Sequence, residues 1–133
     1  MTLVVDASLL VAGLVDAGPD GRWAESELTS DQLAAPHLLL VEVANILRKA
    51  VLGGDVSEDT AALAHADLLS LRVELFPYEP LGARIWELRS NVTAYDAWYV
   101  ALAEALDAPL GTLDRRLSRA SGPRCKFRVP PRR

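Results

Sequence analysis

The first fourteen residues constrain this chain most. Leu3-Val4-Val5 is a short β-branched apolar run ending on Asp6, and Ser8-Leu9-Leu10-Val11-Ala12-Gly13-Leu14 follows with no turn residue between them. That reads as a buried strand running straight into a helix, the unit from which parallel sheets are built. The alternation recurs along the chain. Gly18-Pro19-Asp20-Gly21 breaks it, and further helices are predicted over 22–30, 38–52 with Gly53-Gly54 as the stop, 57–70 behind a Ser57 cap, 81–89 and 93–106, with a helical turn at 114–119. Further strands are predicted at 33–36, 73–77, 109–112 and 126–129. Strands alternating with helices give an α/β class with a parallel sheet covered on both faces, and 133 residues suit one domain over 1–133.

In such a sheet, ligands bind beyond the carboxyl ends of the strands. Asp6 ends the first predicted strand and Asp114 follows the fourth by two residues, so both stand at that edge. Helices that follow parallel strands begin there too, which brings in Glu42 and Asp96 near the starts of theirs. Four carboxylates gathered together repel one another unless protons or cations compensate. Mg²⁺ or Mn²⁺ resolves this with oxygen ligands and keeps positions open for phosphate, so the cluster points to phosphodiester chemistry.

Each acid also has a plainer reading. Asp6 and Asp114 sit where helix caps sit, and Thr93-Ala94-Tyr95-Asp96 fits a capping box. Taken singly, capping is the commoner use of all three. Glu42 lies inside an apolar stretch, where its alternative is a solvated stripe with Asn45 and Lys49. Ser8 and Thr112 offer hydroxyls beside Asp6 and Asp114, to a bound water or phosphate oxygen or, more commonly, to local backbone. Asn45 is a candidate helper beside Glu42. Tyr95, Trp98, Tyr99 and Leu102 form a stripe suited to core or dimer interface. His37 and His65 have no zinc spacing, and no phosphate-binding glycine loop or nucleophile triad is present.

Net charge is −4 but unevenly placed: residues 1–113 hold 6 Lys/Arg against 17 Asp/Glu, and residues 114–133 hold 8 Lys/Arg against Asp114 alone. The basic segment, Arg115, Arg116, Arg119, Arg124, Lys126, Arg128, Arg132 and Arg133, either holds a polyanion beside the acids or is a solubilising tail. The start lacks a signal-peptide pattern, no apolar run approaches the ~20 residues of a membrane span, and Cys125 is alone. A soluble cytoplasmic protein with no membrane partner is the expectation.

Four segments in order, Val-Val-Asp6-Ala-Ser8, Pro36-His-Leu-Leu-Leu-Val-Glu42-Val-Ala-Asn45, Tyr95-Asp96-Ala-Trp-Tyr-Val-Ala-Leu-Ala and Thr112-Leu-Asp114, together resemble the PIN-domain ribonucleases. Length and element order are most similar to the VapC-type toxins of bacterial toxin–antitoxin pairs. The resemblance implies a central parallel sheet of about five strands flanked by helices, and Mg²⁺- or Mn²⁺-dependent endonucleolytic cleavage of RNA. It carries the family's acidic positions onto Asp6, Glu42, Asp96 and Asp114, with Asp6, Asp96 and Asp114 as metal ligands and Ser8 and Thr112 as the accompanying hydroxyls. It further implies a homodimer inhibited by a small antitoxin over the acidic groove. From the site itself, basic side chains near Arg115 and Arg116 are placed to receive the RNA backbone. Two rivals remain open. A haloacid-dehalogenase-like phosphomonoesterase also begins with a strand ending in Asp, but needs a second Asp where Ser8 stands. A non-catalytic RNA- or protein-binding module would use the acids only as caps.

Overall fold

The computed structural model describes residues 1–30 and 32–132, Ser30 by its backbone alone, so Arg133 of the basic segment lies outside the described residues. Thr2–Val5 (β1) occupies the middle of the sheet, and Leu3, Val4 and Val5 are wholly removed from water. A strand buried on both faces suits β-branched residues and can be apolar at every position. Around it lie Gln32–Pro36 (β2), Val73–Phe76 (β3), Leu110–Gly111 (β4) and Phe127–Arg128 (β5), in the order β3-β2-β1-β4-β5 and all parallel.

That order fixes where a site can form. The chain starts in the middle at β1, moves outward through β2 to β3, then returns past β1 to β4 and β5. The direction of winding therefore reverses between β1 and β4, where crossovers leave to opposite sides and a crevice opens at the carboxyl ends. Val4 pairs with Leu110 and Val5 with Gly111, and the Asp6 N–H donates to the Gly111 carbonyl at 3.2 Å. Asp6 and Thr112 thus emerge side by side at the switch point.

Seven helices among the described residues make the crossovers. Ala7–Val15 (α1) starts directly from β1, with Leu9, Leu10 and Ala12 in the core. Pro19–Ser30 (α2) begins three residues before the predicted start, because Pro19 is preset for a first helical position and breaks only what precedes it. Leu39–Leu52 (α3) buries Leu39, Val43 and Leu47 at four-residue spacing, leaving Glu42 on its flank. Gly53 caps α3 and Gly54 takes the left-handed turn at φ +79°. Glu58–Ser70 (α4) is capped by Ser57, as predicted. The expected helix at 81–89 is three pieces: a 3₁₀ turn at Glu79–Leu81, Gly82–Glu87 (α5), and a 3₁₀ turn at Leu88–Ser90, the tightening common at helix ends. Ala94–Leu106 (α6) packs on β1 and β2 with Tyr99, Val100 and Leu102 buried, and Arg115–Ser118 (α7) follows β4. No helix among the described residues is long and apolar enough to cross a membrane.

The basic segment is not a loose tail. Arg84 grips Glu104 through two bonds (Nε to Oε1 at 2.7 Å, Nη2 to Oε2 at 3.1 Å) and donates to the Gly122 carbonyl at 2.9 Å. Glu104 also accepts the Arg124 N–H at 2.8 Å. Burial pushes the Glu104 carboxyl up, but these donors outweigh it and hold it below its usual range. Arg128 pairs with Glu27 at 3.4 Å, and Arg115 donates to the Pro130 carbonyl.

At Gly111 a side chain has no room: a Cβ there would stand 2.7 Å from Cδ1 of the fully buried Leu9. Gly111→Ala is expected to lower stability by about 1–3 kcal/mol through overpacking beneath the site. Urea unfolding checks this as a lower midpoint at unchanged slope, and an unchanged midpoint would contradict it.

Candidate metal centre

Asp6 is the deepest of the four acids, 8% exposed. Its Oδ1 caps α1 by accepting the Leu9 N–H at 3.0 Å and also takes the Ser8 hydroxyl at 2.6 Å, while Oδ2 accepts from the Thr112 hydroxyl. Burial pushes the carboxyl up to about 6 despite these donors, and the charge on Asp96 pushes the same way. With two acceptor sites per oxygen, Oδ1 is full and Oδ2 keeps one lone-pair direction for an ion.

Asp114 is bound to the same network. The Thr112 hydroxyl accepts the Asp114 N–H at 2.9 Å, and the Ser8 hydroxyl accepts the Leu113 N–H at 3.0 Å. The Asp114 Oδ1 caps α7, taking the N–H groups of Arg116 and Leu117 at 3.0 and 3.1 Å. Ser8 and Thr112 therefore spend their protons on Asp6 and their lone pairs on the Asp114 loop. They lock two carboxylates from opposite ends of the chain into one arrangement.

Asp96 and Glu42 approach from the neighbouring helices. Thr93 caps α6 by accepting the Asp96 N–H at 3.1 Å, so the cap does not depend on the Asp96 carboxylate. Burial and then the charges of Asp114 and Glu42 hold the Asp96 carboxyl above its usual range. Glu42 accepts the Tyr99 hydroxyl at 2.6 Å. Tyr99 is 2% exposed, and burial together with the Glu42 charge pushes its phenol far above the usual range, so it remains the donor.

The structure thus joins Asp6, Asp96, Asp114 and Glu42 electrostatically, with Ser8 and Thr112 between them. Asn45 stands exposed on α3 with no hydrogen bond or ion pair among the described residues. Arg116 lines a cavity of about 620 Å³ beside Asp96 and Asp114, whereas the Arg115 guanidinium is held on Pro130 and does not line it. Tyr99 is buried in the core, as its place in the apolar stripe indicated, and its hydroxyl also reaches Glu42. Its position one turn after Asp96 places it near the start of α6, but no neighbouring residue signals the contact with Glu42.

Capping and metal holding turn out to be compatible, since Asp6 and Asp114 cap through one oxygen each. None of the four acids has an ion pair among the described residues. Nor do three acidic, His or Cys side chains among those residues stand ready around one ion. An all-oxygen set without a closed cage, two of its carboxyls (Asp6 and Asp96) held above their usual range, fits Mg²⁺ or Mn²⁺ held by one or two carboxylates, with water and phosphate completing the shell.

Asp6 gives this a pH signature. Because its folded pKa lies above the ordinary value, ionising it destabilises the fold progressively from about pH 4 to 6, and fully above that, by about 3 kcal/mol. In chelator, lowering the pH from 7 to 5 is expected to return roughly 1 kcal/mol of stability to the wild type and less to Asp6→Asn. Equal pH slopes in thermal melts of the two proteins would contradict the assignment.

Known proteins share this fold. The PIN domain family matches residues 3–123. Ribonuclease VapC1 of Mycobacterium tuberculosis is 43% identical over 127 residues, covering 95% of this chain and 96% of that one. The crystal structure of PAE2754 from Pyrobaculum aerophilum superposes with a TM-score of 0.72 at 26% identity, covering 96% of this chain and 83% of its own. VapBC-5 from Mycobacterium tuberculosis, a member of the VapBC family of toxin-antitoxin systems, shares the fold with a TM-score of 0.56 at 20% identity over 96% of each chain. This chain belongs to the PIN-domain family and, within it, to the VapC-type proteins.

Proposed function

We propose that the chain is a divalent-metal-dependent endoribonuclease, the toxin of a toxin–antitoxin pair, acting on cellular RNA in the cytoplasm until a cognate antitoxin covers its acidic groove. The observation that carries this reading is the electrostatic coupling of four carboxylates, at positions 6, 42, 96 and 114, near the switch point of a VapC-type fold with no ion-pair partner among the described residues. Kinship with Ribonuclease VapC1 supports RNA as the substrate.

Asp6, Asp96 and Asp114 hold Mg²⁺ or Mn²⁺ directly or through water. Bound there, the ion supplies Lewis-acid polarisation of the phosphodiester and charge stabilisation in the transition state. Ser8 and Thr112 fix the Asp6 carboxylate and the Asp114 backbone, so the ligands need not reorganise as charge develops. Glu42, aimed by Tyr99, orients the attacking water. Arg116 receives the RNA backbone at the rim. Val41 and Leu52 on α3 and Leu63 and Leu69 on α4 are more than half exposed, which supports protein-covered surface there for a second copy or the antitoxin.

Mixing the purified chain with a defined RNA panel, with and without Mn²⁺, tests the activity. Cleavage should require the ion, and Asp96→Asn should lose it by roughly 100-fold or more while also losing the Mn²⁺-induced rise in Tm. Wild-type cleavage by Asp96→Asn in saturating Mn²⁺ would remove Asp96 from the site. Tyr99→Phe keeps the buried ring but releases Glu42, so kcat should fall roughly 10- to 100-fold with KM little changed. A wild-type kcat in that variant would reduce the 2.6 Å contact to a packing detail.

A further inference from the structure

The cavity of about 620 Å³ next to Asp96 and Asp114 carries three side chains for which the four acids give no use: Arg89, Asn91 and Arg116. We propose that it is a subsite for one nucleotide of the RNA strand beside the cut, with Arg89 as its phosphate-binding residue and Asn91 as a polar contact to the base or sugar. This rests on the endoribonuclease reading and deepens it.

The charge distribution singles out Arg89. Of the six Lys/Arg in residues 1–113, it alone lines this cavity, in a body that otherwise repels a polyanion. It is also held in place. Its Nη1 donates to the Trp86 carbonyl at 2.7 Å, and its guanidinium carbon lies 4.6 Å from the centre of the Trp86 ring. That ring is 66% exposed, so its contact with Arg89 is not incidental to core packing. One of five guanidinium donors is used on the carbonyl, and a planar fork already fixed by stacking loses little freedom when phosphate arrives.

Two further groups complete the wall. The Arg116 guanidinium and the Asn91 side-chain amide have no partner among the described residues. Asn91 lies over Gly122, where a Cβ would come within 3.3 Å of its Oδ1, and Arg84 pins the Gly122 carbonyl from the other side. The cavity volume falls in the range of sites for groups of nucleotide size. Arg89 and Arg116 line the same cavity as Asp96 and Asp114, so a strand phosphate bound by a guanidinium would lie beside the metal-ligand candidates. A basic peptide side chain would meet like charge at Arg89 and Arg116.

The test measures kcat, KM and salt dependence of Mn²⁺-supported RNA cleavage, together with anisotropy of a short labelled RNA bound in EDTA, where no cleavage occurs. Arg89→Ala should raise KM about tenfold or more with kcat little changed, reduce the log–log salt slope by about one, and weaken binding in EDTA. Its Mn²⁺-induced rise in Tm should match the wild type, which verifies fold and acid site together. Arg89→Lys should recover part of the loss, and Asn91→Ala should alter the nucleotide preference at the cut without changing the salt slope. Wild-type KM, salt slope and EDTA binding in Arg89→Ala overturn the subsite. Arg89-dependent binding by a wild type that cleaves no RNA in Mn²⁺ would instead overturn the ribonuclease reading and keep the subsite.

Discussion

The site turns on a largely buried carboxylate at the end of a strand. β1 is buried on both faces, and its register with β4 delivers Asp6 into the crevice where the sheet changes its direction of winding. Three donors surround the carboxyl, yet burial still holds it near pH 6. Hydrogen bonds alone therefore do not compensate its charge. The charge on Asp96 adds to this, and Asp114 and Glu42 in turn act on Asp96, so the arrangement destabilises the protein unless protons or a cation join it. A fold that keeps such an arrangement gives up stability at this edge of the sheet.

Fixed secondary structure carries that strain. Ser8 and Thr112, one at the start of α1 and one at the end of β4, each touch Asp6 and the backbone of the Asp114 loop. Residues more than a hundred positions apart are thereby set by two hydroxyls. α6 brings Asp96 and, one turn later, the Tyr99 hydroxyl that reaches Glu42 on α3. A single helix thus sets one acid directly and another through a phenol.

Much of this was legible in the sequence because the governing signals are local. The β-branched run into Asp6, the Ser57 and Thr93 caps and the apolar spacing of α3 each dictate a structure from neighbouring residues. The acids were legible because helix starts and strand ends share one edge in a parallel sheet. Non-local contacts were not legible. Nothing near Tyr99 announces Glu42 fifty-seven positions away, and nothing near Arg115 announces the Pro130 carbonyl that holds its guanidinium away from the cavity that Arg116 lines. The 3₁₀ turns on either side of α5 also escaped the reading, and one of them contains Arg89. Capping does not exclude a ligand role, since Asp6 and Asp114 each cap through one oxygen and carboxylates have two.

The central claim is that these four acids form one site for a divalent ion. Crystals grown with Mn²⁺ and measured at the manganese absorption edge test it most directly. The account predicts an anomalous peak at coordination distance, roughly 2.0–2.6 Å, from at least one carboxylate oxygen of Asp6, Asp96 or Asp114, with the others linked to it directly or through water. A fully occupied peak elsewhere on the molecule, with these carboxylates unliganded at neutral pH, would contradict it.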